Sequence, residues 1–240
     1  MRALSHLFVL SASVCWLLCG QQAGAQGTIV HTVLRNAHPG GLFGEDGVPV
    51  YNAGSGGPYS TLSVDLNHDG IEDFRVVATG DTDGWRLEGT GNNASWARPA
   101  GGADVNSSLV PLSAGTEISS LAPVTDAWVA SQQIPYGVVA PVISAYLSLG
   151  DGNSGVSGLF VDVTAYAGLQ FSVGSETYYG WIKLQEIPGL AGGGIVYEYA
   201  YETRPGVPIL AEAVPEPSTC ALMIGGWLLM ACFKRNKQTG

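Results

Sequence analysis

The chain has 240 residues, and its 20 acidic side chains outnumber the 10 basic ones, for a formal charge of −10. That balance excludes a nucleic-acid binder, which needs Lys and Arg to displace the counterions of the phosphate backbone. It suits solubility and the company of divalent cations.

Taken in chain order, the first element is a secretory signal peptide over residues 1–25. Arg2 supplies the positive start, residues 7–18 form a short apolar run, and Ala23-Gly24-Ala25 gives the small-x-small cleavage pattern. The mature chain is expected to begin at Gln26, after handling by Sec-type export machinery and a signal peptidase. Cys19 does not mark a lipoprotein, because Trp16-Leu17-Leu18 before it is bulky where that signal needs small residues.

From residue 26 to 213 the pattern is β, and the size suits one domain with a sizeable core. Strands are expected over 28–34, 59–66, 73–78, 138–147, 158–165, 169–173, 178–185, 194–201 and 207–210. These runs are rich in Val, Ile, Tyr and Thr and are bounded by Gly, Asn, Asp and Pro. Alternation is clean over 178–185, with Tyr178, Ile182 and Leu184 on one face and Lys183 and Gln185 on the other. Many short strands with frequent turns point to an all-β sandwich or jelly roll. Residues 40–57 and 81–102 read as surface loops.

Asp65-Leu-Asn67-His-Asp69-Gly70-Ile71-Glu72-Asp73 is the best site candidate. Oxygen ligands at positions 1, 3, 5 and 9, the Ile71 carbonyl at 7 and a glycine at 6 form the first part of a calcium-loop pattern. Asp65, Asn67, Asp69, Ile71 and Asp73 are therefore expected to hold a structural calcium ion. Position 12 is Val76 instead of the glutamate of an EF-hand, and the loop lies between strands. It is more similar to the Asp-x-Asn-x-Asp-Gly-x-x-Asp loops of extracellular β-proteins such as integrin-type repeats. An ordinary acidic turn is the plainer alternative, since Asn, Asp and Gly favour turns in any case.

Catalytic constellations are missing. His31, His38 and His68 sit in no His-Glu-x-x-His, and there is no Gly-x-Ser-x-Gly. Cys15 and Cys19 fall in the signal peptide and Cys220 and Cys232 in the tail, so the body carries no thiol nucleophile and no disulfide. The chain is read as having no enzymatic activity of its own. Glu176, Glu186, Glu198 and Glu202 are expected on solvated faces. Trp85 and Trp96, in the polar segment 81–102, are the candidates for stacking on a sugar ring, against the plainer reading that aromatics fill β-cores.

Residues 214–240 close the chain: Val214-Pro215-Glu216-Pro217-Ser218-Thr219, an apolar run over 220–233, then Lys234, Arg235 and Lys237. The run is shorter than the roughly 20 residues that span a bilayer comfortably, and the basic flank favours the cytoplasmic side. Prolines hold the motif extended and outside the helix. Between the signal peptide and these terminal basic residues lie all 20 acidic residues and six of the ten basic ones, a formal charge of −14.

This arrangement closely resembles the PEP-CTERM sorting signal of Gram-negative bacteria. The resemblance implies that an exosortase, a membrane-embedded transpeptidase, recognises Pro215, Glu216 and Pro217 and removes the tail. The usual tail is richer in arginine than Lys-Arg-Asn-Lys. Residues 178–209 also resemble the closing part of PEP-CTERM surface proteins, a likeness that carries no activity. The family's ties to exopolysaccharide and biofilm imply an exported protein, briefly anchored in the inner membrane through a short transmembrane helix, then at the cell surface or outside. A structural or adhesive role follows. A lectin-like carbohydrate-binding module is the first alternative and a glycan-active enzyme the second.

Overall fold

The computed structural model describes residues 28–36, 46–51, 60–78, 84–98, 107–121, 125–134, 137–139, 141–149, 153–157, 159–160, 163–186 and 193–214. The expected signal peptide and the short transmembrane helix with its sorting motif fall on 1–27 and 215–240, outside the described residues.

Every regular element among the described residues is a strand: β1 (Ile29–Val33), β2 (Val48–Val50), β3 (Ser60–Val64), β4 (Phe74–Ala78), β5 (Trp85–Gly89) and β6 (Ala94–Arg98). There follow β7 (Ser108–Leu109), β8 (Glu117–Ile118), β9 (Ala127–Ala130), β10 (Gln132–Ile134), β11 (Gly137–Val139) and β12 (Val142–Leu149). The chain then forms β13 (Asn153–Ser157), β14 (Thr164–Val173), β15 (Glu176–Glu186), β16 (Gly194–Glu202) and β17 (Ile209–Leu210). All pairings are antiparallel except one parallel contact, Val142 with Ser108, between β12 and β7. The all-β expectation is met.

Hydrogen bonding runs continuously in the order β1-β16-β15-β14-β6-β7-β12-β5-β4-β3, with β2, β9 and β13 attached at its sides. The two ends of this ribbon lie face to face. Val64, Phe74, Val76, Trp85 and Leu87 from β3 to β5 share one core with Ala167, Leu169, Phe171, Ile182, Leu184 and Val196 from β14 to β16. Two sheet portions closing over one apolar layer is the packing of a β-sandwich.

The β14–β16 portion is also covered on its other face. There Tyr166, Tyr179, Trp181 and Ala200 pack with Trp96, with Val110, Leu112 and Ile118, and with Ile209 and Ala211. The alternation over 178–185 is realised: Ile182 and Leu184 enter the first core with Tyr178 against it, while Trp181 enters the second. In β16 the register shifts between the partners of Lys183 and Leu184, leaving Tyr197 as the extra residue of a bulge.

Differences from the sequence expectation have local causes. The 158–165 and 169–173 runs are not separate strands, because β14 continues unbroken through Gly168 while Leu159 and Phe160 lie in a turn. Residues 81–102 are no simple loop: β5 and β6 occupy most of their described part, with burial along both strands. Their polar residues are buried in pairs or with backbone, so composition alone misreads them.

Gly194 is where β16 passes Trp85. A Cβ there would lie 2.1 Å from the Gln185 carbonyl oxygen and 2.6 Å from the Trp85 ring. The carbonyl belongs to the paired strand and cannot move aside. Gly194→Ala is therefore expected to destabilise the body by about 1–3 kcal/mol and Trp85→Ala by about 3–5 kcal/mol. In thermal unfolding, each kcal/mol lowers Tm by roughly 2–4 °C at this domain size. An unchanged Tm for Gly194→Ala would contradict this packing.

Candidate functional site

The acidic segment 65–73 joins β3 to β4, and its side chains wrap the backbone of their own loop. The Asp69 amide donates to Asp65 Oδ1 (3.2 Å) and to Asn67 Oδ1 (3.1 Å). The Gly70 amide donates to Asp65 Oδ2 (2.8 Å), and the Ile71 amide to Asp69 Oδ1 (2.8 Å). Asn67 Nδ2 donates to Asp69 Oδ2 at 2.9 Å. Short polar side chains close such turns readily. His68 (φ 59°) and Gly70 (φ 86°) supply the left-handed positions that curl the chain. The Ile71 side chain points to solvent.

Asp73 differs from the others. It is 6% exposed, and its Oδ2 accepts from the Leu66 amide at 2.9 Å, closing the loop at its base. Burial, then the negative charges of Asp69 and Asp65, push its carboxyl above the ordinary 3.8 against the pull of that hydrogen bond. Asp73 thus sits within the field of two neighbouring carboxylates. The donor set of Asp65, Asn67, Asp69, the Ile71 carbonyl and Asp73 is all oxygen, which fits a hard cation such as calcium. A carboxylate holding an amide keeps further lone pairs for an ion. Among the described residues no three His, Cys, Asp or Glu side chains form a metal-holding group, and Asp65, Asp69 and Asp73 turn oxygens to backbone amides of their own loop.

Residues that sequence reasoning passed over tie this loop to both sheet portions. Thr90 Oγ1 donates to the carbonyls of Glu72 (2.6 Å) and Asp73 (2.9 Å). Buried Asn93 donates from Nδ2 to the Asp73 carbonyl (3.0 Å) and accepts from the Ser172 amide of β14 (3.1 Å). On the other side His68 Nε2 lies 3.0 Å from Thr32 Oγ1 of β1. Nothing in the spacing of Thr90 or Asn93 marks them, since their partners are 17 to 20 residues away or further.

The expectation that Trp85 and Trp96 offer stacking faces is overturned. Trp85 is 0% exposed and Trp96 2%, one in each core. Each lies on a strand where the sequence suggests a loop, and its ring fills space between packed layers. Trp96 instead faces Trp128 across the β6–β9 pair, ring centroids 5.7 Å apart. The solvated-face reading also fails for Glu186 and Glu202, which are buried. Glu202 accepts from both the amide and Nε of Arg204 at 3.0 Å.

Glu198 is only partly exposed and organises a polar row. Tyr166, Lys183 and Glu198 are directly opposite one another on β14, β15 and β16. Lys183 Nζ donates to Glu198 Oε1 at 3.0 Å, and His31 Nε2 reaches Oε2 at 2.9 Å. Burial opposes the Glu198 charge, but the hydrogen bonds and charges of Lys183 and His31 outweigh it and hold the carboxyl below its ordinary 4.5. Lys183 also stands 5.4 Å from the centre of the Tyr166 ring.

Comparison of the chain with protein-family models, curated proteins and solved structures yields no match.

The row yields a signed expectation. A carboxyl lowered in the folded state adds stability that is fully present above its unfolded pKa and lost as pH falls through the folded one. Glu198→Gln should cost about 1.5–3 kcal/mol at neutral pH, the range for hydrogen bonds to charged groups. The deficit should close as pH drops below 4.5. A deficit that stays constant with pH, in paired thermal melts, would contradict the ion-paired row.

Proposed function

We propose that the chain is an exported protein of the cell surface or extracellular matrix, sorted by an exosortase, whose β-sandwich body does structural or adhesive work among exopolysaccharide. The observation that carries the reading is the order of parts in residues 214–240. Pro215-Glu216-Pro217 precedes a short apolar run, and the basic residues Lys234, Arg235 and Lys237 follow it. The signal-peptide pattern at the other end and a cysteine-free all-β body between them agree with that route. In this reading the apolar run anchors the chain in the inner membrane only until the tail is cut.

The acidic loop adds a calcium ion to the proposal. Its oxygen donors suit a hard cation, and one divalent ion would relieve the repulsion that Asp65 and Asp69 exert on Asp73. Because Thr90 and Asn93 tie the loop base to neighbouring elements, an ion there would stiffen the body as a whole. Its role is structural; no step of chemistry is assigned to it.

Intact mass spectrometry of the protein recovered from its producing cells tests the sorting reading. A chain starting at Gln26 and lacking the residues beyond the Pro-Glu-Pro motif is expected, and Glu216→Ala should leave the tail in place. A chain retaining Lys234 and Arg235 in the wild type would refute it.

Calcium is tested separately by calorimetry of the full chain in detergent, with chelator or added calcium. At about 100 times its Kd a ligand adds about 2.7 kcal/mol, on the order of 5–10 °C here. Asp69→Asn should abolish most of that shift, and magnesium should reproduce it poorly because it demands tighter octahedral geometry. Since the fold raises the Asp73 pKa, the ion's contribution is present above that raised value and fades as pH falls through it toward 3.8. No calcium-dependent shift up to millimolar concentration would remove the ion from the proposal.

A further inference from the structure

The continuous ribbon of strands ends at β3, and among the described residues β4 is its only hydrogen-bonded neighbour. Proteins guard such an edge with charge, proline or a bulge, because its unpaired N–H and C=O groups are a template for another strand. Elsewhere on the rim, β2 carries Pro49. Just beyond β1, the Leu34 carbonyl is taken by the Gly47 amide at 3.1 Å. β3 reads Ser-Thr-Leu-Ser-Val, with no charge and no proline, and its pairs with β4 run without a shift in register.

Two backbone bonds fix which groups of β3 face outward. The Asp73 amide donates to the Val64 carbonyl at 2.9 Å, so Val64 turns its backbone toward β4. The Leu87 amide donates to the Pro141 carbonyl at 3.1 Å, so Leu87 turns away from β4. Val76, opposite Leu87, therefore turns toward β3, where its partner is Leu62. Successive residues of a strand bond to opposite sides, and both observations give the same alternation. Leu62 and Val64 bond to β4, while Thr61 and Ser63 direct their N–H and C=O groups at the open edge. Thr61 and Ser63 are exposed. On the inner face Val64 is fully buried, but Leu62 is only partly covered against the first core.

A second copy of the same strand satisfies this edge completely. Laid antiparallel about a two-fold axis at Leu62, each Thr61 comes opposite Ser63 of the other copy. These become hydrogen-bonded pairs, and each exchanges both of its bonds. Leu62 meets its own counterpart in the closer, non-hydrogen-bonded pair, which completes the burial that the first core leaves unfinished. On the outer face threonine lies against serine, a favourable cross-strand pair. Charge agrees with the same register. An isologous contact sets β3 only against β3, and like charges directly opposite would oppose it; this strand bears none, in a body of formal charge −14. Residue 65 then lies opposite residue 59, so the two acidic loops leave the pair at opposite ends, about 20 Å apart.

We propose that β3 is a homotypic docking edge: two copies of this chain pair through it, antiparallel about Leu62, and join their sheets into one. The pairing needs neither the sorting signal nor the calcium ion. One short edge buries little area, so the association is weak and depends on concentration.

Sedimentation velocity of the full chain in detergent, over a range of concentrations, tests this together with amide exchange followed by NMR. A reversible monomer–dimer equilibrium is expected. The Leu62 amide should be protected at every concentration, whereas those of Thr61 and Ser63 should become protected only as dimer forms. Ser63→Pro removes an outward N–H and no bond to β4, a position at which an edge strand accepts proline. It should weaken the dimer roughly tenfold or more through the lost hydrogen bonds, with Tm little changed. Thr61→Lys supplies an edge charge at an exposed position and should weaken the dimer too, which keeps the test sound even where proline disturbs the strand. A chain that stays monomeric at every concentration would overturn the proposal. So would exchange at Thr61 and Ser63 that ignores concentration, or a dimer that survives both variants.

Discussion

The structure depends on one constraint: the β14–β16 portion is buried on both faces. A sheet wet on one side needs apolar residues at alternate positions only. Here consecutive residues of β15 enter different cores, Trp181 the second and Ile182 the first. Each must be matched by a covering layer of its own. The first layer is β3 to β5, and the second comes from Trp96 with the segments around 110–118 and 209–211. Without either cover, several hundred square ångströms of aromatic and aliphatic surface on the same three strands would face water. That is more than a soluble fold exposes without a purpose.

The same constraint explains the polar row. Where the second cover ends, positions that would otherwise be apolar meet water on one side only. Tyr166, Lys183, Glu198 and His31 fill that border with groups that satisfy one another. Half-buried charges are tolerated because each has a partner within hydrogen-bond distance.

Sequence reasoning read some of this and not the rest, for physical reasons. The alternation at Tyr178, Ile182 and Leu184 was legible because side-chain direction in a strand has period two, and both cores obey it. The acidic loop was legible because turn chemistry and oxygen spacing are local. Trp85 and Trp96 were misplaced because their neighbours are polar. Asn93 is buried because it bridges Asp73 and Ser172, 20 and 79 residues away. Such partners are set by the fold, and a local window does not contain them. Glu198 was misjudged for the same reason: Lys183 and His31, which hold it, come from other strands.

The position of β1 has a mechanical consequence. Its first residue, Ile29, lies opposite Glu202, the last residue of β16, and the pairs run antiparallel from there to Val33 and Glu198. The Thr203 amide also bonds the Thr28 carbonyl at 3.1 Å. The β17–β8 pairs and the Ala211 bonds lie between Glu202 and the C-terminal end of the body. Once these have parted, a pull applied through both ends would open the β1–β16 pairs one after another, as a zipper opens. A tension applied through one end, with the resisting force taken elsewhere on the surface, spares that seam. The body is thus strong as a pendant and weak as a link in a chain.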